Sequence, residues 1–485
     1  MKKEKIEKSN SITGGLFWTF GERITAQLVT TIVTIVLSRL LDPQHYGIIS
    51  IVTIFISFCN IFVSGGFGSA VVQKKDANED DFNTAFVISF SMSIIIYIVL
   101  FILAPTIASF YDMNELIWVI RIMGIRLIFA SLNTIQHAYI QKQMKFKKFF
   151  LATLIGTIIS AIFGITLAFM GCGVWALVAQ YLTNTIIDTI VLLFVGGWIP
   201  KFIFKKKNAK QLFSFGWKVL ATEFIYTIEG DIRGLIVGKV FGPSYLAYYD
   251  QGKKYPSLFV TNINNSINKV MLPAYSKNQD DKEKLKEMLR KSIKVGVFLL
   301  APLLIGFALV ANNFISLLLT SKWLEAVPYI QIFCLVYLTR PLETSCHQAL
   351  LAIGASGTVL GIMIGINIFA LLTVLVAVYA FHSVFLIAVG NLLSTIVSIC
   401  LFMLMTYKKI GYTPKEQLFD IYKPIISSII MGLVIYIVGF IKISILILLI
   451  IQVCLGFLIY FLMSHILKIE GYLFLKSKVL GVIKK

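Results

Sequence analysis

The sequence predicts an all-α polytopic membrane protein of about fourteen transmembrane helices, arranged as two pseudo-symmetric six-helix lobes with two extra C-terminal helices. Three observations predict this fold. Hydrophobic residues make up 58% of the 485 residues, and the mean hydropathy is +0.84. They are gathered into fourteen stretches long enough to cross a bilayer, for which about 20 residues suffice. Polar, Gly and Pro motifs of the first half recur in the second half.

The fourteen stretches fill the chain, which leaves no room for a soluble domain. The first stretch carries Glu22 and Arg23 and is too long for a cleavable signal peptide. The predicted N-terminal lobe, residues 1–200, holds stretches 14–38, 45–65, 83–109, 116–139, 150–170 and 174–196. The predicted C-terminal lobe, residues 201–412, holds stretches 211–239, 245–273, 293–318, 326–352, 358–380 and 383–406. Residues 413–485 hold the two extra spans, 422–440 and 444–466, and a tail.

Two connections have features of their own. The glycines from Gly65 to Gly68 end the second stretch, where small residues allow close packing, and no GK[ST] follows them as in a phosphate loop. Residues 276–292 form the longest inner loop and are highly charged. We expect them to form a short amphipathic helix on the membrane surface.

The internal repeat is carried by polar residues, since apolar matches mean little in so hydrophobic a chain. The segment Leu132–His137 matches Leu342–His347 at an offset of 210, and Phe20–Gly21 matches Phe215–Gly216 at an offset of 195. Two repeated membrane lobes indicate a transporter that moves one lobe against the other around a site between them.

Basic residues exceed acidic ones by 44 to 24, and their placement indicates topology rather than nucleic-acid binding. With the N-terminus inside, 31 of them fall in inner loops and tails and 4 in outer turns. The positive-inside rule then predicts an even number of spans with both termini cytoplasmic.

Catalytic and metal chemistry have no sequence signal here. The six cysteines are scattered without a CxxC motif, so we expect no disulfide, no metal site and no cofactor. The outer connections are short turns that cannot house a catalytic domain, and no nucleophile–base arrangement is visible. The protein is therefore not expected to be an enzyme.

Polar side chains recur at steps of three or four residues in the first, second, seventh and eighth stretches, on one face of each helix. A charge at mid-bilayer costs roughly 2.5–3.5 kcal/mol on insertion scales, so such residues normally face protein or water. We expect these helices to wall a hydrated, cationic cavity between the lobes. The predicted binding residues are Arg23, Thr30, Thr34, Asn60, Lys218, Arg233, Lys254 and Asn265.

Arg23 and Lys218 are the strongest of these candidates, because they occupy matching positions and neither has an acid four residues away. Arg233 and Lys254 each follow an acid by four residues, so each could instead be neutralised within its own helix.

Four titratable residues are candidates for coupling transport to an ion: His137, Asp188, Glu229 and His347. The two histidines match across the repeat, and histidine can titrate near neutral pH. The competing interpretation is that each is simply packed and hydrogen-bonded.

Several segments resemble the polysaccharide-transporter branch of the multidrug/oligosaccharidyl-lipid/polysaccharide superfamily, which includes the Wzx-type flippases. They are GLFWTFGE, LSRLLDPQHYGIISIV, GGFGSAVVQ, MKFKKFF, MGCGVWALVAQ, YDQGKKYPSLF and VMLPAYSKNQDD. The resemblance covers nearly the whole chain. It implies a V-shaped, two-lobed exporter of fourteen helices with a cationic cavity at Arg23, Lys218 and Lys254. Where the family often has an acid before the glycines, this chain has Ser64.

The function implied by the resemblance is flipping of undecaprenyl-pyrophosphate-linked oligosaccharide from the inner to the outer leaflet of a bacterial plasma membrane, for surface polysaccharide assembly. Membrane lipid, H⁺ or Na⁺ and the polysaccharide polymerase machinery are further candidate partners. One alternative is a drug or cation antiporter of the same superfamily, whose site should favour carboxylates and aromatics. A membrane polymerase or ligase would need a substantial outer loop, and a non-transporting scaffold would not explain the paired charges.

Overall fold

The computed structural model of the protein describes residue 27 and residues 29–143 and 147–473, and the regular secondary structure of this part is entirely helical. Spatial proximity divides the chain into two compact units, unit 1 (Met1–Ala247) and unit 2 (Tyr248–Lys485). The lobe boundaries expected from the repeat, at residues 200 and 412, stay a prediction.

Unit 1 is built around two groups of packed helices. Helix α7 pairs along its length with α8, and α4 packs against α5 and α6. Helix α9, the first predicted span of the second lobe, packs here against α2, α3 and α4. The helices of unit 1 are α1 Val29–Leu40, α2 Pro43–Ser64, α3 Phe67–Gln73, α4 Glu79–Tyr111, α5 Glu115–Gly124, α6 Arg126–Lys142, α7 Lys147–Phe169, α8 Val174–Gly196 and α9 Lys206–Phe241.

Unit 2 is centred on α11, which packs against α12, α13, α16 and α17. Helix α10 begins at the end of unit 1 and runs into unit 2. The helices are α10 Pro243–Lys277, α11 Lys282–Leu318, a 3₁₀ turn Ser321–Ala326, α12 Val327–Leu338, α13 Arg340–Ala352, α14 Ser356–Tyr379, α15 Val384–Ile410, α16 Pro414–Val438 and α17 Ile445–Ile466.

The chain is a multi-pass membrane protein. Among the described residues, ten segments are helical, long and apolar enough to span a bilayer. They are Pro43–Gln73, Glu79–Tyr111, Leu116–Lys142, Phe150–Phe169, Val174–Gly196, Lys282–Leu318, Ser356–Tyr379, Val384–Ile410, Pro414–Val438 and Ile445–Ile466. Helices α9 and α10 are long enough but carry many polar residues, which lowers their hydropathy.

Two expectations about continuity need correction. The stretches 116–139 and 326–352 are not single helices, because the first breaks at Ile125 between α5 and α6 and the second at Thr339 between α12 and α13. Pro341 lies in the first turn of α13, where its missing N–H donor removes no helical hydrogen bond. The surface helix expected at 276–292 does not form separately, since α11 begins at Lys282 and continues to Leu318. All six cysteines are free.

Candidate functional site

A polar cavity of about 350 Å³ lies inside unit 1, between α2, α3, α6 and α9. Most of its lining side chains are hydroxyls, amides or small residues. The lining residues are Ser57, Asn60, Ile61, Ser64, Gly66, Gly68, Ser69, Thr134, Val219, Leu220, Glu223 and Thr227.

Helix α2 contributes its polar face to this cavity. Ser57, Asn60 and Ser64 are spaced by three and four residues, which places them on one side of the helix. The helix then ends at Gly65, whose φ of 49° is left-handed and whose N–H donates to the Ile61 carbonyl at 2.8 Å. A left-handed residue after the last turn is a common helix stop, and glycine adopts it without steric cost.

The glycines that follow allow α9 to approach very closely. A Cβ atom at Gly66 would lie 2.7 Å from the Gly216 carbonyl oxygen, and one at Gly216 would lie 2.6 Å from the Gly65 oxygen. Both distances are shorter than real Cβ contacts, so neither position has room for a side chain. The close packing expected at the end of the second stretch is confirmed.

Helix α9 supplies Glu223 and Thr227 to the cavity, four residues apart on one face. Glu223 is the only charged residue that lines the cavity in the described part of the chain. Glu223 is not among the predicted binding residues, because the cations Lys218 and Arg233 defined the predicted polar face of this helix. At roughly 100° per residue, Lys218 lies about 140° and Arg233 about 80° around the helix from Glu223. The predicted stripe and the cavity face are therefore different sides of α9.

The cavity presents more hydrogen-bond acceptors than donors. Asn60 Oδ1 is buried without a hydrogen-bond partner. The Ser64 hydroxyl donates to the Ile61 carbonyl at 3.1 Å and the Thr134 hydroxyl to the Ala130 carbonyl at 2.9 Å. These two hydroxyls donate to carbonyls of their own helices, and their oxygens retain lone pairs that can accept a hydrogen bond. Such a lining suits a ligand rich in hydroxyl donors.

Of the predicted binding residues, Asn60 lines this cavity. Arg23 and the side chain of Asn265 lie outside the described residues. Thr30 is exposed and Thr34 is buried on α1, Lys218 is exposed and Arg233 half-buried on α9, and Lys254 is half-buried on α10. None of these five lines the cavity. Their assignment to substrate binding stays a prediction.

Of the four coupling candidates, His137 and Asp188 lie together in unit 1, and His347 lies in unit 2. In unit 1, His137 Nε2 lies 3.7 Å from Asp188 Oδ2. In unit 2, the ring of His347 lies 5.8 Å from the ring of Phe402, one turn after Glu343 on the same helix. The side chain of Glu229 lies outside the described residues. Among the residues that the structure describes, no group of three or more His, Cys, Asp or Glu could hold a metal ion.

Comparison with known sequences places the chain among proteins of surface-polysaccharide synthesis. The profile of the family "Polysaccharide biosynthesis protein" matches residues 36–328, more than half of the chain. The teichuronic acid biosynthesis protein TuaB of Bacillus subtilis is 26% identical over 299 residues, which cover 61% of this chain and 62% of TuaB. The lipopolysaccharide biosynthesis protein WzxC of Escherichia coli is 24% identical over 325 residues, or 65% of each chain. The match thus spans less than two thirds of either relative.

Comparison with solved structures shows a shared fold. The lipid II flippase MurJ in an inward closed conformation superposes with a TM-score of 0.73 at 16% identity, covering 93% of this chain and 98% of MurJ. An inward-facing multidrug resistance MATE family transporter superposes with a TM-score of 0.61 at 14% identity, covering 79% and 95%. The all-helical polytopic fold predicted from the sequence is confirmed at this level.

Proposed function

The chain belongs to the polysaccharide biosynthesis protein family, and on that premise we propose that it flips undecaprenyl-pyrophosphate-linked oligosaccharide units from the inner to the outer leaflet by alternating access. The observation that carries the proposal is the acceptor-rich cavity among the helices of unit 1. The names of the related proteins, which concern teichuronic acid and lipopolysaccharide synthesis and lipid II flipping, support the same substrate class.

A sugar headgroup cannot cross hydrocarbon unaided, because each hydroxyl buried without a hydrogen bond costs several kcal/mol. Asn60, Ser64, Thr134 and Glu223 offer the acceptors that sugar hydroxyls need. A buried acceptor without a partner, such as Asn60 Oδ1, gains a hydrogen bond when a hydroxyl arrives. The cavity is therefore proposed as the site for part of the oligosaccharide.

The pyrophosphate needs cations rather than acceptors. Lys218 is five residues from Glu223 on α9, which corresponds to about 7.5 Å along the helix axis at 1.5 Å per residue. Because Lys218 lies on a different side of α9 from the cavity, a pyrophosphate that it binds would lie outside the cavity while the sugar occupies it. We therefore retain Lys218, with Arg23 and Lys254, as the proposed phosphate-binding cations. An inside-negative potential favours outward movement of the doubly charged headgroup, by about 2.3 kcal/mol per charge per 100 mV.

In this proposal the chain crosses the bacterial plasma membrane fourteen times, as two six-helix lobes with two extra helices and with both termini in the cytoplasm. The ten apolar segments account for ten crossings. The remaining four are assigned to the first stretch, to α9, to α10 and to the α12–α13 pair. The distribution of lysines and arginines supports the orientation.

A drug or cation antiporter is the second candidate function, and Glu223 favours it. A carboxylate in a membrane cavity can bind an organic cation, whereas it repels a pyrophosphate. The hydroxyls and amide around it favour the sugar instead, since an antiporter site is expected to carry aromatics, and no aromatic side chain lines the described cavity.

The proposal can be tested with full-length protein in proteoliposomes that contain fluorescent lipid-linked oligosaccharide, using a membrane-impermeant quencher to follow flipping. Thr227→Val and Asn60→Leu are each expected to slow flipping about tenfold, since a lost hydrogen bond to a buried group costs about 1–3 kcal/mol. Thr166→Val is the matched control, because Thr166 is exposed on α7 away from the cavity. Wild-type rates for both cavity variants would refute the proposed sugar site.

Two further variants separate the functions in the same vesicles. Lys218→Ala is expected to block flipping and Lys218→Arg to restore part of it, since either cation can hold phosphate. Glu223→Gln keeps an acceptor oxygen, so a sugar site should retain most of its activity. Loss of organic-cation uptake in Glu223→Gln, with no flipping by the wild type, would instead establish the antiporter.

A further inference from the structure

A second polar cluster lies between α6 and α8, next to the cavity but separate from it. The Asn133 amide donates to Asp188 Oδ2 at 2.9 Å, and His137 Nε2 lies 3.7 Å from the same oxygen. The residue after Asn133 is Thr134, which lines the cavity. Helix α6 therefore carries the cavity on one face and this cluster on another.

The cluster has unused hydrogen-bonding capacity. Asp188 Oδ1 and Asn133 Oδ1 are both buried without a hydrogen-bond partner. On the α7 side Gly156 faces Asp188, since a Cβ there would lie 3.5 Å from the Asp188 Cβ, and glycine brings no polar side chain to the pair. An ionised carboxylate with one oxygen unsatisfied is costly inside a protein, and a bound proton removes that cost.

Within the described part of the chain, no lysine or arginine lies within ion-pair distance of Asp188. His137 is the titratable group that faces it. The other acidic, basic and histidine side chains that the structure describes on the helices packed against α8 are engaged elsewhere or exposed: His45, Glu115, Arg121, Arg126, Lys142 and Lys148. Arg126 Nε donates to the Thr185 hydroxyl at 3.0 Å, one turn before Asp188 on α8.

The matching cluster in unit 2 gives an internal reference. At the repeat offset of 210, Asn133 corresponds to Glu343 and Asp188 to Ser398. Ser398 donates to Glu343 Oε1 at 2.8 Å, and Arg340 lies 3.1 Å from Glu343 Oε2. The carboxylate lies on α8 in unit 1 and on α13 in unit 2, and its donor lies on α6 and α15, respectively. Only the unit 2 carboxylate has an arginine beside it and a partner for each of its two oxygens.

We propose that Asp188, held by Asn133 and facing His137, is the site where this protein binds a proton during transport, and that its unit 2 counterpart Glu343 is not. The proposal rests on the proposed transport function. His137 is 43% exposed and Asp188 15%, so the imidazole provides the route by which the proton reaches the carboxylate. One proton then adds to the pair that Asp188 and His137 form. Because α6 also lines the cavity at Thr134, the charge of the pair acts on the substrate site.

The first test needs no substrate. Infrared difference spectra of the purified protein, recorded between an alkaline and an acidic state, should show a carboxyl band that changes when the pair takes up its proton. Asp188→Asn should abolish that band and Glu343→Gln should leave it. If Asp188→Asn fails to fold, His137→Gln should shift the midpoint of the same band. A band that survives both Asp188→Asn and His137→Gln unchanged would overturn the proposal.

The second test uses transport. A proton gradient should change the flipping rate of the wild type and of Glu343→Gln, while Asp188→Asn should become insensitive to it. A rate that follows Na⁺ at constant pH would also overturn the proposal. A wild type that does not flip lipid-linked oligosaccharide, but shows the Asp188-dependent band, would refute the proposed function and leave the proton site standing.

Discussion

The substitution Asp420→Asn should destabilise unit 2 more than any other conservative change at an ion pair of α11. Asp420 lies on α16 with its side chain 2% exposed. It accepts two hydrogen bonds from Arg290 of α11, at 2.7 and 2.8 Å, and one from the Tyr412 hydroxyl at 2.6 Å. Lys294 adds an ion pair at 3.2 Å. A single buried carboxylate thus joins two helices through three partners.

The expected magnitude follows from this burial. Removing one partner of a fully buried ion pair typically costs about 3–5 kcal/mol, and we expect the lower end, about 3 kcal/mol, because Arg290 is 35% exposed and keeps part of its hydration. Asparagine keeps an oxygen for Tyr412 but presents an NH₂ group where Arg290 needs an acceptor. At about 2–4 °C per kcal/mol for units of this size, the unfolding temperature should fall by at least about 6 °C.

The control is Glu287→Gln on the same helix. Glu287 pairs with Lys291 at 2.7 Å one turn away, and both side chains are more than 60% exposed. Such an exposed pair contributes little to stability, because water and salt screen the two charges. Unfolding of full-length protein in detergent can be followed with a thiol-reactive dye, since Cys346 is fully buried in unit 2. Equal unfolding temperatures for the two variants would refute the reasoning.

Two further predictions concern packing and topology. Gly216→Ala should force α9 away from α2 and destabilise unit 1 by about 1–3 kcal/mol, because its Cβ would meet the Gly65 carbonyl, whereas Gly230→Ala on the same helix meets nothing within 4 Å and should be neutral in a thermal unfolding assay. In a cysteine-free background, Lys206→Cys and Lys284→Cys should resist a membrane-impermeant maleimide added to intact cells, and labelling of either would contradict the proposed orientation.

The family and most of the helices could be predicted from the sequence alone. Long apolar stretches determine where bilayer-spanning helices can form, and the membership predicted from motifs such as LSRLLDPQHYGIISIV is confirmed. The break at Thr339 could also have been predicted, because proline favours the first turn of a helix and Pro341 lies in the first turn of α13. It was missed because hydropathy averages over such a break.

The candidate site was less predictable, for a physical reason. Cations inside apolar stretches are conspicuous, so Lys218 and Arg233 defined the predicted face of α9. The cavity is lined instead by Glu223 and Thr227, and its shape depends on how closely the backbone of α9 approaches α2 at Gly66. Periodicity assigns residues to faces of a helix, but it does not say which face meets a neighbour.

The repeat illustrates the same limit more sharply. A residue-by-residue comparison scores Asn133 against Glu343 and Asp188 against Ser398 as two mismatches. In the structure the two mismatched positions of each unit are in contact, and in both units one carboxylate accepts a hydrogen bond from one donor on the equivalent pair of helices. What the two halves share is therefore a contact rather than a residue. The surrounding charges then differ, because the arginine beside Glu343 is permanently positive, whereas a histidine becomes positive only when it takes up a proton.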